Sequence, residues 1–188
     1  MHNTFERVMV FYNLCLEEER IMEQRDPFAV FQTVMTRIQK GAFLTVKAGE
    51  ALNTMTIGWG LIGFIWQRPV FLAAVRDSRY TFTIIEKATD FTVSVPAAGM
   101  QEALMFCGTR SGRDVDKFKA CNLVPAAAQR TVSPVLKFPG IHLECQIRLK
   151  APMNPALLDE ALEDLYPAKD YHTLYFGEIV ACYETDAP

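Results

Sequence analysis

A predicted strand passes into a predicted helix through the residues Arg76-Asp77-Ser78-Arg79-Tyr80-Thr81. The strand begins at Val70, and Ser78 is expected to cap a helix that extends to Lys87. A helix start presents unpaired backbone N–H groups and the positive end of the helix dipole. The hydroxyl and guanidinium groups of the segment add further donors. The segment therefore predicts an anion site, although a capped helix with two solvated arginines explains these residues equally well on their own.

Small polar residues precede this segment. A predicted strand has the order Asn53-Thr54-Met55-Thr56-Ile57, and Trp59 follows it. Such a strand offers backbone and hydroxyl hydrogen bonds to a polar heterocycle, while the tryptophan covers an aromatic face. Taken alone, the strand is better interpreted as half buried, with threonines at the surface.

A small basic turn follows further along the chain. It has the order Ser111-Gly112-Arg113-Asp114 and leads into Lys117. Because the turn is small and carries cations, it can close over an anionic ligand. Considered alone, it is better explained as a loop in which Asp114 caps the next helix.

The bulk composition favours one domain with a sizeable core. The chain has 188 residues, of which 50% are hydrophobic and 22% charged, and its formal net charge is -3. No lysine–arginine run is present in the sequence, so non-specific nucleic-acid binding is disfavoured. An anionic ligand would therefore need a local basic site.

The cysteines and the N-terminus indicate a soluble, cytoplasmic protein. The five cysteines are odd in number and form no CxxC pair, so reduced thiols are expected rather than a disulfide framework. No apolar run approaches the roughly 18–20 residues that span a bilayer. The polar residues His2 and Asn3 and the acidic run Glu17–Glu19 are not typical of a signal peptide.

Residues 1–25 predict a separate amphipathic helix, and we assign residues 1–26 to an extension of a domain at 27–188. The apolar positions at helical spacing are Phe5, Val8, Met9, Tyr12 and Leu16. The helix is expected to pack on its own domain or on a partner subunit, and membrane binding is disfavoured because its polar part is acidic. A second helix is predicted to begin at Asp26-Pro27 and to stop at Gly41.

From Ala42 onward the pattern predicts a mainly β fold with helices (α+β). Strands are expected at Ala42–Ala48, Leu52–Trp59, Val70–Arg76, Phe91–Val95, Ile141–Lys150 and Thr173–Glu184. Further helices are expected at Gln101–Cys107, Asp114–Cys121 and Pro155–Leu165, and Val124–Pro139 is predicted to be irregular. Six strands with inserted helices predict a closed antiparallel barrel with helical decorations.

Two known motifs match this sequence by spacing, but the secondary structure predicted around them does not fit. Gly58–Gly63 fits GxGxxG, but Pro69 follows too soon for the helix that dinucleotide binding requires, so a glycine-rich bend is preferred. Cys107 and Arg113 have the spacing of a phosphatase loop, but a helix is predicted before the cysteine, which favours a buried, inert thiol. The histidines and cysteines show no metal-ligand spacing.

The ordered set of motifs resembles the flavin reductase-like, flavoredoxin-type branch of the FMN-binding split-barrel proteins. The resemblance runs from about Ala42 to Tyr183, and the helix at 1–25 lies outside it. Besides the three segments above, it rests on Cys107-Gly108-Thr109-Arg110, Lys117-Phe118, Leu143-Glu144-Cys145 and His172-Thr173-Leu174-Tyr175-Phe176-Gly177-Glu178.

The resemblance implies a six-stranded Greek-key barrel, a homodimer, and FMN bound near the dimer interface. Ser78–Thr81 would hold the phosphate with help from Lys117, and Met55, Thr56 and neighbouring backbone would line the isoalloxazine. The full predicted cofactor-binding set is Asn53, Thr54, Met55, Thr56, Trp59, Arg76, Ser78, Arg79, Tyr80, Thr81, Ser111, Gly112 and Lys117. Asp77 departs from the proline that is frequent in the family, and its carboxylate would oppose phosphate binding unless an arginine neutralises it.

The resemblance implies a flavin reductase that transfers hydride from NADH or NADPH to flavin. The alternative is a flavoredoxin-like electron carrier that has no NAD(P)H oxidation activity and exchanges electrons with a redox protein partner. A third possibility, favoured by Asp77, is a dimer that keeps the fold but has lost efficient flavin binding. Hydride transfer needs no side-chain base. His172 is the one candidate near the chemistry, and a structural role is preferred for it.

Overall fold

A computed structural model of the chain describes residues 22–186, which form a mainly antiparallel fold. The strands are β1 (Met22–Gln24), β2 (Ala42–Ala48), β3 (Ala51–Ile57), β4 (Gly60–Ile65), β5 (Arg68–Arg76), β6 (Asp90–Pro96), β7 (Pro125–Ala126), β8 (Val135–Leu136), β9 (Gly140–Pro152) and β10 (His172–Thr185). The α-helices are α1 (Phe31–Ile38), α2 (Tyr80–Ile85), α3 (Gln101–Thr109) and α4 (Lys117–Ala120). None of these helices is long and apolar enough to cross a bilayer.

One eight-stranded sheet carries the fold. Its order is β3-β2-β6-β9-β10-β5-β4, with β1 paired to the end of β10, and β7 and β8 form a separate pair. Every pairing in the sheet is antiparallel. The predicted fold class is confirmed, although the sheet has two strands more than the six that were predicted.

The additional strand β4 lies in the glycine motif that the sequence interpreted as a bend. It pairs with β5 through a two-residue turn at Trp66 and Gln67, whose φ angles are 54° and 58°. Turns of this kind favour asparagine and glycine, because both central residues take positive φ. Neither residue is present here, so the usual sequence signal for the hairpin is missing.

Strand β9 shows the predicted alternation, but both of its faces are covered in its first half. Leu143 and Cys145 point into the main core, while His142 and Glu144 on the opposite face are also buried. The reason is that segment 124–139 packs over them. Glu144 accepts hydrogen bonds from the backbone N–H groups of residues 129, 130 and 131 at 2.8, 2.6 and 3.1 Å.

Several predicted helix boundaries were wrong near the chain's N-terminus. The helix expected from Asp26-Pro27 begins at Phe31, because residues 27–30 form a turn in which Asp26 accepts a hydrogen bond from the backbone N–H of Phe28. Of the helix predicted at 1–25, residues 22–24 form β1. Residues 1–21 lie outside the described part of the chain.

The predicted caps of the later helices also need correction. Helix α2 begins at Tyr80 with Arg79 as its N-cap, so Ser78 lies one residue before the cap. Helix α4 is capped by Asp116, whose carboxylate accepts hydrogen bonds from the backbone N–H groups of Phe118 and Lys119, and not by Asp114. The segment Pro155–Leu165 forms two short 3-10 turns instead of one helix.

Candidate functional site

A cationic cavity of about 130 Å³ lies where the start of α2 meets the loop between α3 and α4. Four basic side chains line it, namely Arg79, Arg110, Arg113 and Lys117, together with polar groups from Asn53, Ser78, Thr81 and Ser111. None of the lining residues within 22–186 is acidic. This concentration of positive charge, in a chain of net charge -3, gives the site the chemistry of an anion pocket.

A second cavity of about 190 Å³ adjoins the first, since Met55 and Arg79 line both. Residues 55–59 form one part of its lining, and Ala74, Arg76, Arg79 and His172 contribute the rest. Because β3 is the last strand on its side of the described sheet, its second edge has no strand partner. Backbone donors and acceptors on that edge, apart from the Thr54 carbonyl oxygen that Lys117 contacts, are therefore available to a polar heterocycle.

Lys117 is buried between the three elements that build the cationic cavity. Its Nζ donates hydrogen bonds to the carbonyl oxygens of Thr54 at 3.1 Å and Cys107 at 2.8 Å, and the residue is 3% exposed. Burial lowers the pKa of Lys117, and the charge of Arg79 acts in the same direction. An ammonium group has three donors, so one N–H remains for a ligand of the cavity that Lys117 lines.

Gly112 allows the basic turn to pack against β3 and α2. A Cβ at this position would collide with the side-chain oxygen of Asn53 and approach the Tyr80 ring to 2.7 Å. The amide of Asn53 in turn donates a hydrogen bond to the Thr81 hydroxyl at 2.8 Å. The resulting contacts unite three of the segments that the sequence singled out.

Arg76 and Asp77 open the predicted anion segment, but the structure places neither of them at the cationic cavity. Arg76 lines the second cavity rather than the first, and its guanidinium donates to the carbonyl oxygens of Asp170 and Leu165 at 2.7 and 3.0 Å. Asp77 lines neither cavity, and its carboxylate accepts a hydrogen bond from the Thr173 hydroxyl at 3.0 Å. The carboxylate expected to oppose an anion is thus directed to β10.

His172 stands at the second cavity within an aromatic cluster. Its ring centroid lies 4.8 Å from that of Trp59, and its Nδ1 is hydrogen-bonded to the Tyr166 hydroxyl at 3.0 Å. Burial lowers the pKa of His172 to about 4, and the nearby charge of Arg76 contributes. The imidazole is therefore neutral at physiological pH and adds no charge to the cavity.

Of the thirteen predicted site residues, Thr54 is the one that lines neither cavity. Its side chain is buried in the sheet, where it accepts a hydrogen bond from the Thr45 hydroxyl at 3.1 Å. The predicted cofactor-binding set omitted Arg110, Arg113 and His172, although Arg113 belongs to the predicted basic turn and His172 was the one candidate near the chemistry. The two arginines lie in the motif that was singled out, so the density of cations there was a usable signal.

Cys107 also lines the cationic cavity but lacks the properties of a nucleophile. Burial raises its pKa to about 12, and the neighbouring Cys121 acts in the same direction. A thiol that stays protonated is unreactive, which agrees with the preference for an inert cysteine over a phosphatase loop. Within residues 22–186 there is also no cluster of three or more metal-ligating side chains.

Comparison with known proteins identifies what this arrangement resembles. The family model of the flavin reductase like domain matches residues 35–188. An uncharacterized protein of Archaeoglobus fulgidus is 25% identical over 145 residues, which are 77% of this chain and 72% of that protein.

Two solved structures share the fold. The flavoredoxin of Desulfovibrio vulgaris (Miyazaki F) is 22% identical, with a TM-score of 0.61 over 78% of this chain and 69% of its own. An NADH:FAD oxidoreductase of Streptomyces globisporus, solved with NAD and FAD fragments, is 21% identical, with a TM-score of 0.59 over 86% of each chain.

Proposed function

Because the chain belongs to the flavin reductase like domain family, we propose that it binds FMN across the two joined cavities and transfers hydride to it from NADH or NADPH. The observation that carries this proposal is the pairing of a cationic cavity with a cavity walled by an open strand edge. A flavin mononucleotide has the same two parts, an anionic phosphate and a flat polar ring system. The donor set therefore fits the cofactor.

The cationic cavity would hold the phosphate. Arg79 and Arg113 flank it, and both guanidinium groups have donors beyond those used for the carbonyl oxygens of Gly108 and Ser78. A guanidinium carries five N–H donors in a planar fork that suits phosphate oxygens. The Thr81 hydroxyl and the remaining N–H of Lys117 complete the set.

The second cavity would hold the isoalloxazine against the backbone of residues 55–57. FMN supplies the hydride-accepting ring, so the protein needs to bind, orient and shield it. Trp59 and His172 form an aromatic wall there, and the neutral state of His172 leaves the local charge to Arg76 and Arg79. No side-chain base is required for this chemistry.

The proposal is tested with the purified full-length chain. Bound flavin gives an absorption band at roughly 450 nm, a property of the cofactor, and anaerobic addition of NADH or NADPH should bleach it. A protein that holds flavin but is reduced by neither nicotinamide would support the electron-carrier alternative instead. A colourless protein that also fails to bind added FMN would refute both.

The phosphate assignment has its own test. Arg79→Ala should weaken FMN binding about tenfold or more, since it removes charge-assisted hydrogen bonds of roughly 1.5–3 kcal/mol. Arg130→Ala is the matched control, because Arg130 is an exposed arginine that lines neither cavity. Equal FMN affinity of the two variants would contradict the assignment.

We also propose a homodimer formed through the outer face of the sheet. A row of apolar side chains crosses four strands there, with direct pairing of Leu61 to Leu72, Leu72 to Phe176 and Phe176 to Leu149. Paired residues share a face of the sheet, and the alternate residues Phe71 and Tyr175 point into the core. A two-fold interface packs the same surface patch of each subunit against its copy, so this apolar row would be buried in both subunits.

A further inference from the structure

Asp170 occupies the hydrogen-bond donors of Ser78, a residue of the cationic cavity. The Ser78 hydroxyl donates to Oδ2 of Asp170 at 2.7 Å, and the Ser78 backbone N–H donates to Oδ1 at 3.2 Å. Asp170 does not itself line the cavity. The serine thus lies between the cavity and a carboxylate of the same chain.

Neighbouring contacts hold Asp170 in this position. Arg76 donates to its backbone carbonyl oxygen at 2.7 Å and lies 4.0 Å from Oδ2. The backbone N–H of Asp77 donates to the carbonyl oxygen of Tyr171 at 3.3 Å, and the Tyr171 ring stacks on Tyr166 with centroids 4.9 Å apart. Asp170 is therefore held in place by contacts from Arg76 and Asp77, the two residues before Ser78.

A serine hydroxyl has one proton, so it cannot donate to Asp170 and to a ligand at the same time. The same holds for the backbone N–H of Ser78. By contrast, the Thr81 hydroxyl accepts from Asn53, which leaves its proton available to the cavity. Of these two hydroxyl groups, the one of Ser78 therefore already donates its proton to a carboxylate of the chain.

We infer that Asp170 competes with the phosphate of the flavin for Ser78 and so limits how strongly the site prefers FMN to riboflavin. This inference rests on the proposed function. To bind a phosphate, Ser78 must release the carboxylate, and the carboxylate then remains beside a second anion. Both effects weaken binding of the charged flavin and leave the uncharged one unaffected.

The test compares the dissociation constants of FMN and riboflavin, measured by quenching of flavin fluorescence. Asp170→Asn keeps the shape and one acceptor but removes the charge. It should tighten FMN binding about tenfold, the contribution of one charge-assisted hydrogen bond, while riboflavin affinity changes less than about twofold. Asp159→Asn is the matched control, since Asp159 caps a 3-10 turn by accepting from the Ala161 backbone N–H and lines neither cavity.

A double-mutant cycle with Ser78→Ala separates competition from a general structural effect. Removal of the hydroxyl should weaken FMN binding about fivefold more in the Asp170→Asn background than in the wild type, because only there is the proton free for phosphate. Asp170→Ala should show the same gain in preference for FMN. This second variant shows that the gain comes from loss of the carboxylate and not from new hydrogen bonds of the asparagine side chain.

The outcomes are distinct. An unchanged ratio of FMN to riboflavin affinity in Asp170→Asn, or weaker binding of both flavins, would overturn the inference and leave the proposed function intact. Failure of the wild type and all variants to bind either flavin would refute the proposed function and this inference together.

Discussion

Lys117 Nζ lies 2.8 Å from the carbonyl oxygen of Cys107, and this hydrogen bond connects the start of α4 to the last turn of α3. The same ammonium group reaches the carbonyl oxygen of Thr54 in β3 at 3.1 Å. A single buried cation therefore fixes three elements around the cationic cavity. Burial of the Lys117 ammonium group costs free energy, and its remaining N–H donor is left for a ligand of the cavity.

Lys117→Met should lower both stability and FMN affinity. Methionine fills a similar volume but leaves two buried carbonyl oxygens without their donor, at about 1–3 kcal/mol each. Urea unfolding and FMN titration check the two effects. Lys119→Met is the matched control, because the Lys119 side chain is 88% exposed two residues away. Similar losses in both variants would contradict the role given to Lys117.

Gly112→Ala should reduce FMN affinity because the added methyl group would displace Asn53 and Tyr80. The expected loss is about tenfold or more, since overpacking of a tight contact typically costs about 1–3 kcal/mol. Gly63→Ala is the control, as its nearest neighbour would lie 3.7 Å from the new Cβ. Unchanged binding by Gly112→Ala, measured by fluorescence quenching, would show that the loop can move without harm to the site.

The fold class was predicted from local patterns, whereas most residues that line the two cavities were predicted mainly through the resemblance to a family. Alternation along β9 and the polar residues of Asn53–Ile57 are visible within a few positions of one another. Asp170 gave no such signal, since it lies 92 residues from Ser78 and contacts it through a tertiary hydrogen bond. The hairpin at Trp66 and Gln67 was missed for another reason, because the pairing of β4 with β5 places these residues in a turn that they do not favour.

The apolar row on the outer sheet face predicts the effect of a charge within it. Leu149 is 42% exposed in the chain alone, and Leu149→Arg would bury an unpaired charge at a two-fold interface. The variant should therefore elute as a monomer where the wild type is a dimer, as judged by light scattering after size exclusion. Leu157→Arg, at a position that is 83% exposed and outside the row, should leave the dimer intact. A wild-type monomer, or a dimer in both variants, would refute this interface.

His172 predicts how stability depends on pH. Its pKa falls from 6.5 to about 4 on folding, chiefly through burial, so between these values the unfolded chain binds a proton that the folded chain does not. The free energy of unfolding therefore declines as pH falls from about 6.5 toward 4, by at most about 1.4 kcal/mol per pH unit for this one proton. Above pH 7, His172 has no effect on it. His172→Gln removes the titrating group and should flatten this part of the profile. Urea unfolding at pH 7.5, 6 and 5 gives the comparison. An identical decline in both proteins would assign the effect to other groups, because glutamine does not titrate.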